Sequence, residues 1–263
     1  MPKAGIELQE WRNSLKQCCK CRLLPDGREI NPSDSKQLLH ALIHYEPKSN
    51  NGFRTGWATA MLDKIKEPKC KVELLEVSCQ SGILAVMEAP NYRDTYQLTK
   101  GYITCDTDTD ETGKRIRRLL QHIDVLPETV VFTNAVQCLP AARGNGFPPT
   151  SIQRRNCRGH LRRLLDLMRP KVVLAFGNEA LKELHRLDPI AIDGRLLRLD
   201  EVTVSQLVGR CIMPWGGTCL VPLYHPGPLV VNNAFRKDGT PGTGRSESEQ
   251  KQDINVISSL IQS

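Results

Sequence analysis

The sequence predicts an α/β protein with three layers, α/β/α, in which helices cover both faces of a central, mostly parallel sheet of four strands. Two observations predict this class. Four short apolar runs alternate with helical patterns, and each run is continuously apolar, which is typical of strands buried on both faces. The four predicted strands are Ile83–Met87, Thr129–Val136, Lys171–Phe176 and Cys219–Leu223.

The segments around these strands carry apolar residues at helical spacing. Near the amino terminus, Trp11 and Leu15 indicate a short helix, and a polar loop at 236–249 precedes the last helix. Ser151 is a candidate N-cap, because its hydroxyl can accept from the first free backbone N–H groups of a helix. The predicted helices that follow the first strand are Arg115–Ile123, Ser151–Met168, Asn178–Leu187 and Asp253–Ile261.

Bulk properties favour a protein of the cytoplasm with a polyanionic partner. The 263 residues can bury one good core, and no apolar run approaches the roughly 20 residues that span a bilayer. The amino terminus has no signal-peptide core, so we expect a cytoplasmic protein without a membrane partner. We also expect the protein to be a monomer. The net charge of +7 suits a nucleic acid, because Lys and Arg that neutralise phosphates release counterions.

Polar side chains stand where three of the four predicted strands end. Glu88 follows the first strand, Asn134 lies in the second apolar run, and His225 follows the fourth. Ligands of parallel α/β sheets bind beyond the carboxyl ends of the strands. This shared position is the first indication of a functional site.

Ten cysteines indicate a metal centre, because a reducing compartment disfavours structural disulfides. Cys219 is the exception we expect, since its place in an apolar run suits a small core residue. The spacing of the other candidates allows either tetrahedral zinc or a 4Fe–4S cluster. The predicted ligands are two pairs of thiols, Cys18 (with Cys19 as its competitor) with Cys21, and Cys138 with Cys157.

Several of these residues lie in motifs that resemble those of the family-four uracil-DNA glycosylases. The segment Thr133-Asn-Ala-Val-Gln-Cys138-Leu-Pro is followed by Cys157 and then by Arg169-Pro-Lys-Val-Val-Leu-Ala-Phe-Gly177. The family's first active-site motif, Gly-Glu-Ala-Pro-Gly, is similar to Met87-Glu-Ala-Pro-Asn91, and its His-Pro-Ser is similar to His225-Pro-Gly227.

The resemblance implies one glycosylase-like domain over residues 1–263, with 24–75 a helical insertion. It also implies that four thiolates, those of Cys18, Cys21, Cys138 and Cys157, hold a 4Fe–4S cluster; zinc is the alternative. The departures from the family are Met87 and Asn91 in place of two glycines and Gly227 in place of the serine. These changes leave the identity of the excised base open.

The implied reaction is excision of a base from double- or single-stranded DNA, as in DNA repair. The base is extruded, and its N-glycosidic bond breaks through an oxocarbenium-like sugar while negative charge develops on the base. Glu88, with Asp94 nearby in sequence, is the candidate for activating water or stabilising the sugar. His225 is the candidate donor to the base oxygen. Asn134 suits an imide edge such as that of uracil.

Further contacts follow from the family's motif order. Pro90 and Asn91 line the predicted base pocket, and Tyr102 (or Tyr92) is the candidate for stacking on the base. The predicted DNA contacts are a wedge side chain and three basic residues, namely Leu229, Arg236, Lys237 and, on the helix Ser151–Met168, Arg154.

The leading hypothesis is therefore a DNA glycosylase with uracil as its default base. One alternative is a glycosylase for another damaged or modified base, such as a modified phage-DNA base. The other is a zinc-bearing nucleic-acid-binding protein without catalysis.

Overall fold

The computed structural model describes residues 81–89, 111–136, 151–215, 217–227 and 244–261, together with positions 7, 10, 11, 14, 149 and 242. The predicted helical insertion at 24–75 lies outside these residues. In the described part of the chain, no helix is long and apolar enough to cross a membrane.

Five strands form the central sheet, in the order β2-β1-β3-β7-β6. The first four strands in this order are parallel to one another, as the sequence predicts, whereas β6 pairs with β7 in the antiparallel sense. The strands are β1 (Ile83–Met87), β2 (Val131–Asn134), β3 (Val172–Phe176), β6 (Ile212–Trp215) and β7 (Thr218–Leu223). A two-stranded antiparallel hairpin, β4 (Ala191–Ile192) with β5 (Arg195–Leu196), lies outside this sheet.

Helices cover both faces of the sheet, which confirms the three-layer arrangement. Alternate strand residues face opposite sides, so Ala85 packs with one cluster and Leu84 with the other. The side with α1 (Glu111–His122) and α5 (Glu247–Ile254) forms one cluster, and the side with α2 (Ser151–Met168) and α3 (Asn178–Leu187) forms the other. The remaining helices are α4 (Val204–Leu207), α6 (Ser258–Ile261) and two 3₁₀ turns, Pro127–Thr129 and Asn255–Ile257.

The strand order places a topological switch point between β1 and β3. The chain leaves β1 towards β2 on one side, whereas it leaves β3 towards β7 on the other. Loops that diverge in this way open a crevice at the carboxyl ends of the strands, where ligands of such sheets bind. Glu88 is the first residue after β1 and therefore stands at this crevice.

The carboxyl-terminal helix begins earlier than the sequence predicts. Hydrophobic spacing indicates a start at Asp253, whereas α5 begins at Glu247. Ser246 and Glu249 form a capping box, in which the Ser246 hydroxyl accepts from Glu249 N–H and the Glu249 carboxylate accepts from Ser246 N–H. The first turns are polar, so the apolar pattern did not reveal them.

Two cysteines differ from the expectation of reduced thiols. Cys219 is buried in the α1-side core, as predicted, but it forms a disulfide with Cys211, at a Cα–Cα distance of 5.6 Å. The bond joins β7 to the residue before β6, so it crosses the one antiparallel pair of the sheet. Sequence spacing did not predict this pair, because strand register brought the two residues together.

Candidate functional site at the carboxyl edge of the sheet

Glu88 and Asn134 lie beside each other at the ends of two paired strands. Met87 is the register partner of Asn134, and the pairing continues beyond the strands. Ala135 N–H donates to Met87 O at 2.7 Å, and Val136 N–H donates to Glu88 O at 2.8 Å. The Glu88 backbone is thereby fixed, while Asn134 is completely buried.

His225 stands two residues beyond β7, and its ring orientation is defined by a tight turn. Gly227 N–H donates to His225 Nδ1 at 3.0 Å. Because Nδ1 accepts this bond, the proton of the neutral imidazole lies on Nε2, which is then a donor. The ring also occupies the space of a side chain at 227, since a Cβ built there would lie 2.8 Å from Nδ1.

Gly177 and Arg115 support the His225 turn from both sides, and sequence reasoning did not select either of them. Gly177 has a φ of +89°, its N–H donates to Leu223 O at 2.8 Å, and its built Cβ would lie 3.6 Å from His225 Cβ. On the other side, Arg115 Nη1 of α1 donates to Pro226 O at 3.4 Å. The sequence signal for Gly177 was its position between a predicted strand and a predicted helix. No sequence signal identified Arg115.

Arg154 binds the Glu88 carboxylate. Its Nη2 donates to Glu88 Oε1 at 2.8 Å, and its Nη1 lies 2.9 Å from Glu179 Oε2. The Nε donates to Pro149 O at 3.2 Å, and the Arg154 side chain is 11% exposed. The sequence predicts a DNA contact for Arg154, whereas in the structure its guanidinium lies among carboxylates.

The α2 helix turns a stripe of its basic residues towards α3. Arg154, Arg158 and Arg162 follow one another at four-residue spacing and therefore share one side of the helix. Arg158 pairs with the buried Glu183, and Arg162 donates to Leu187 O. Arg162 is nevertheless exposed, as are Arg155 and Arg163 on the same helix. The exposed arginines of α2 are therefore available to a polyanion, whereas the guanidinium of Arg154 faces carboxylates.

The described residues thus bring together four of the predicted site residues, namely Glu88, Asn134, His225 and Arg154, at the carboxyl edge of the sheet. The other predicted catalytic, base-binding and DNA-binding residues lie outside the described residues: Asp94, Pro90, Asn91, Tyr102, Leu229, Arg236 and Lys237. They stay predictions.

This geometry agrees with a family match. The profile of the Uracil DNA glycosylase superfamily matches residues 79–240, more than half of the chain. The protein belongs to this superfamily. The matched region contains Glu88, Asn134 and His225, so all three belong to the superfamily domain.

Two curated relatives are type-4 uracil-DNA glycosylases. The enzyme of Archaeoglobus fulgidus is 26% identical over 129 residues, 48% of this chain and 59% of the relative. The enzyme of Thermotoga maritima is 26% identical over 122 residues, 46% of this chain and 56% of the relative. The matches thus span less than two thirds of the length of each relative. They confirm the resemblance to family-four glycosylases drawn from the motifs.

Of the four cysteines predicted to hold a 4Fe–4S cluster, Cys157 lies among the described residues. Cys157 is a buried residue of α2. No group of three or more metal-binding side chains occurs among the described residues, which exclude Cys18, Cys21 and Cys138. Thiolates are the donors that iron–sulfur clusters require, so the residue type at this buried position fits such a group.

Trp11 contacts α2. Its side chain is 7% exposed and packs in the same core cluster as Cys157. The indole Nε1 donates to His160 O at 2.9 Å, one turn beyond Cys157. Cys18 follows Trp11 by seven positions in the sequence.

Proposed function

We propose that the protein is a DNA glycosylase that extrudes uracil from DNA and hydrolyses its N-glycosidic bond. The observation that carries the proposal is the set of three side chains at the carboxyl edge of the sheet. A carboxylate follows β1, a buried amide ends β2, and a histidine with its donor on Nε2 follows β7. These are the three functions that base excision requires: a group for water or sugar, a reader of the base and a donor to the base oxygen.

The sheet spaces these groups for a nucleotide. Glu88 and His225 follow strands that are separated by β3, so about 10 Å lies between the two strand axes. The sugar can therefore lie near Glu88 while the base oxygen lies near His225. Charge that develops on the base then meets the Nε2 proton, and Glu88 can orient water or stabilise the cationic sugar.

We keep uracil as the default base because Met87, which departs from the family motif, leaves Glu88 and Asn134 at the edge of the sheet. Met87 stands where family-four enzymes have glycine, and its side chain is buried in the α1-side core cluster. Glu88 and Asn134 keep their places in the strand pair beside it. The amide of Asn134 can pair with both donor and acceptor of an imide edge.

A 4Fe–4S cluster held by Cys18 (or Cys19), Cys21, Cys138 and Cys157 belongs to this proposal. The buried Cys157 and the contact of Trp11 with α2 support it. Such a group would join the amino-terminal segment to α2. Hydrolysis of a glycosidic bond requires no electron transfer, so the role proposed for the cluster is structural.

The test is an excision assay with duplex and single-stranded oligonucleotides that carry uracil or other bases, followed by alkali cleavage of abasic sites. We expect strand breaks at uracil. His225→Ala should lose about 10²–10³-fold in rate, the cost of removing one such donor. His122→Ala, at an exposed histidine on α1, is the matched control and should retain the rate. Breaks only at another base would refute uracil as the target, and no breaks at all would refute the glycosylase.

A further inference from the structure

We propose that Arg154 is a positioning residue that holds the Glu88 carboxylate in its reactive orientation. This inference rests on the proposed function, because it assigns Arg154 a task only if Glu88 acts in base excision. Its basis is the ion pair between Arg154 Nη2 and Glu88 Oε1 at 2.8 Å. The pair joins the end of β1 to the first turns of α2.

Arg154 is itself held in place. Its Nε donates to Pro149 O at 3.2 Å, and its Nη1 lies 2.9 Å from Glu179 Oε2 on α3. Glu183, whose side chain is 2% exposed, adds a second carboxylate at 4.0 Å. Two nitrogens, Nε and Nη2, donate hydrogen bonds in fixed directions, whereas Nη1 is close to carboxylates without hydrogen-bond geometry. An ammonium group cannot reproduce the fixed pair of directions.

Glu88 needs such a partner because only its backbone is fixed by the strand pair. The side chain is 36% exposed and stands on the loop that follows β1. A reactive group must be held to within about 0.5 Å and 10–20° of its productive geometry. Arg154 contacts Oε1, and Oε2 has no hydrogen-bond partner in the part of the chain that the structure describes. Because Arg154 contacts Oε1, we assign Oε2 to water or sugar.

A phosphate contact is the competing role for Arg154. The side chain is 11% exposed, and its guanidinium already lies within 4.0 Å of three carboxylates, so a phosphate would have to displace them. Arg155, the next residue, is exposed and forms no such pair within the described ranges. Charge and exposure therefore favour Arg155 for the DNA backbone and Arg154 for Glu88.

The test measures single-turnover excision and DNA affinity for wild type, Arg154→Met, Arg154→Lys, Glu88→Gln and the Arg154→Met/Glu88→Gln double variant. Misplacing a reactive group by about 1 Å can cost about 10²-fold. We expect Arg154→Met to lose about 10–100-fold in the rate at saturating DNA, with the Kd within about twofold. Arg154→Lys should recover part of the rate, since it retains the charge but not the fork.

Two further results separate positioning from a merely structural role. In the Glu88→Gln background, Arg154→Met should cause no further loss, because the group that it positions is already gone. Arg158→Met is the matched control: Arg158 lies one turn along α2 and pairs with Glu183 but not with Glu88. It should keep the wild-type rate.

The following outcomes overturn the inference. A wild-type rate in Arg154→Met, beside active wild-type enzyme, refutes positioning and leaves the proposed function intact. An unchanged rate at saturation with weaker binding and a shallower salt dependence shows a phosphate contact instead. Additive losses in the double variant show a structural role. If Arg154→Met does not fold, Arg154→Lys decides by the same criteria. Wild-type protein that excises no base refutes the proposed function together with this inference.

Discussion

Gly227→Ala tests whether the turn after β7 controls the His225 ring. The new Cβ would lie 2.8 Å from His225 Nδ1 and 3.2 Å from Cε1, whereas ordinary contacts begin at 3.4 Å. The backbone of the turn follows directly from β7, but the ring can rotate about its side-chain bonds. We therefore expect the ring to move and the fold to persist.

The expected loss follows from the donor that moves with the ring. When Nδ1 shifts, the hydrogen bond from Gly227 N–H weakens and Nε2 leaves the position from which, in the proposed function, it donates to the base oxygen. Removing such a donor costs about 10²–10³-fold, or about 2.7–4 kcal/mol. Displacement costs less than removal, so Gly227→Ala should lose about 10²-fold and no more than His225→Ala.

The assay is single-turnover excision at saturating uracil-containing DNA, with the melting temperature measured for each variant. Gly159→Ala is the matched control, because Gly159 lies on α2 with nothing within 4 Å of its built Cβ. The reasoning is refuted if Gly227→Ala excises uracil at the wild-type rate. It is also refuted if the variant loses stability in proportion to activity, since the backbone would then have moved instead of the ring.

Three stability predictions follow from other positions. Gly177→Ala should lower the free energy of unfolding by about 1–3 kcal/mol, because its φ of +89° and ψ of 163° are open almost only to glycine; urea unfolding measures the loss. Gly159→Ala should raise it by about 0.5–1 kcal/mol through helix propensity, and a decrease would contradict the open space around the site. The hydrogen bond from Arg118 holds the pKa of Glu247 below its usual value. The stability from this pair is present above the ordinary carboxyl pKa of about 4.3 and is lost as the pH falls through the lowered folded value. Glu247→Gln should therefore reduce the loss of unfolding free energy below about pH 5, and urea unfolding at several pH values measures this loss. The change should be less than about 1 kcal/mol, because the pair is partly exposed. An unchanged pH dependence would contradict the assignment.

The sheet was predictable because its signal is local. Four continuous apolar runs can hardly be placed except as strands buried on both faces, and their ends located Glu88 and His225. The strand β6 was not predicted, since it pairs in the antiparallel sense at the sheet edge and its neighbour β7 carries the stronger pattern. The polar start of α5 was missed for the same reason, because a capping box shows as hydrogen bonds and not as hydrophobic spacing.

The side-chain partners of the site were not predictable from spacing. Basic residues at four-residue intervals on a helix are compatible with a DNA-binding face or with a carboxylate-lined neighbour, and only the packing of α2 on α3 decides between them. Glu88 and Arg154 are 66 residues apart in sequence. The role of Gly227 was hidden as well, since glycine in place of serine reads as a departure from the family until the His225 ring is found in that space.

The position of α2 gives the proposed cluster a physical role in the proposed glycosylase. Arg154 and Cys157 are three residues apart on this helix, about 4.5 Å along its axis. In the proposed ligand set, the thiolate of Cys157 would fix the same turns of α2 from which Arg154 reaches Glu88. Loss of the cluster would then misplace the carboxylate by moving the helix, without any part in electron transfer. The cluster would thus affect the position of the Glu88 carboxylate through Arg154. In Arg154→Met, loss of the cluster should no longer affect that position, because Glu88 has already lost its partner.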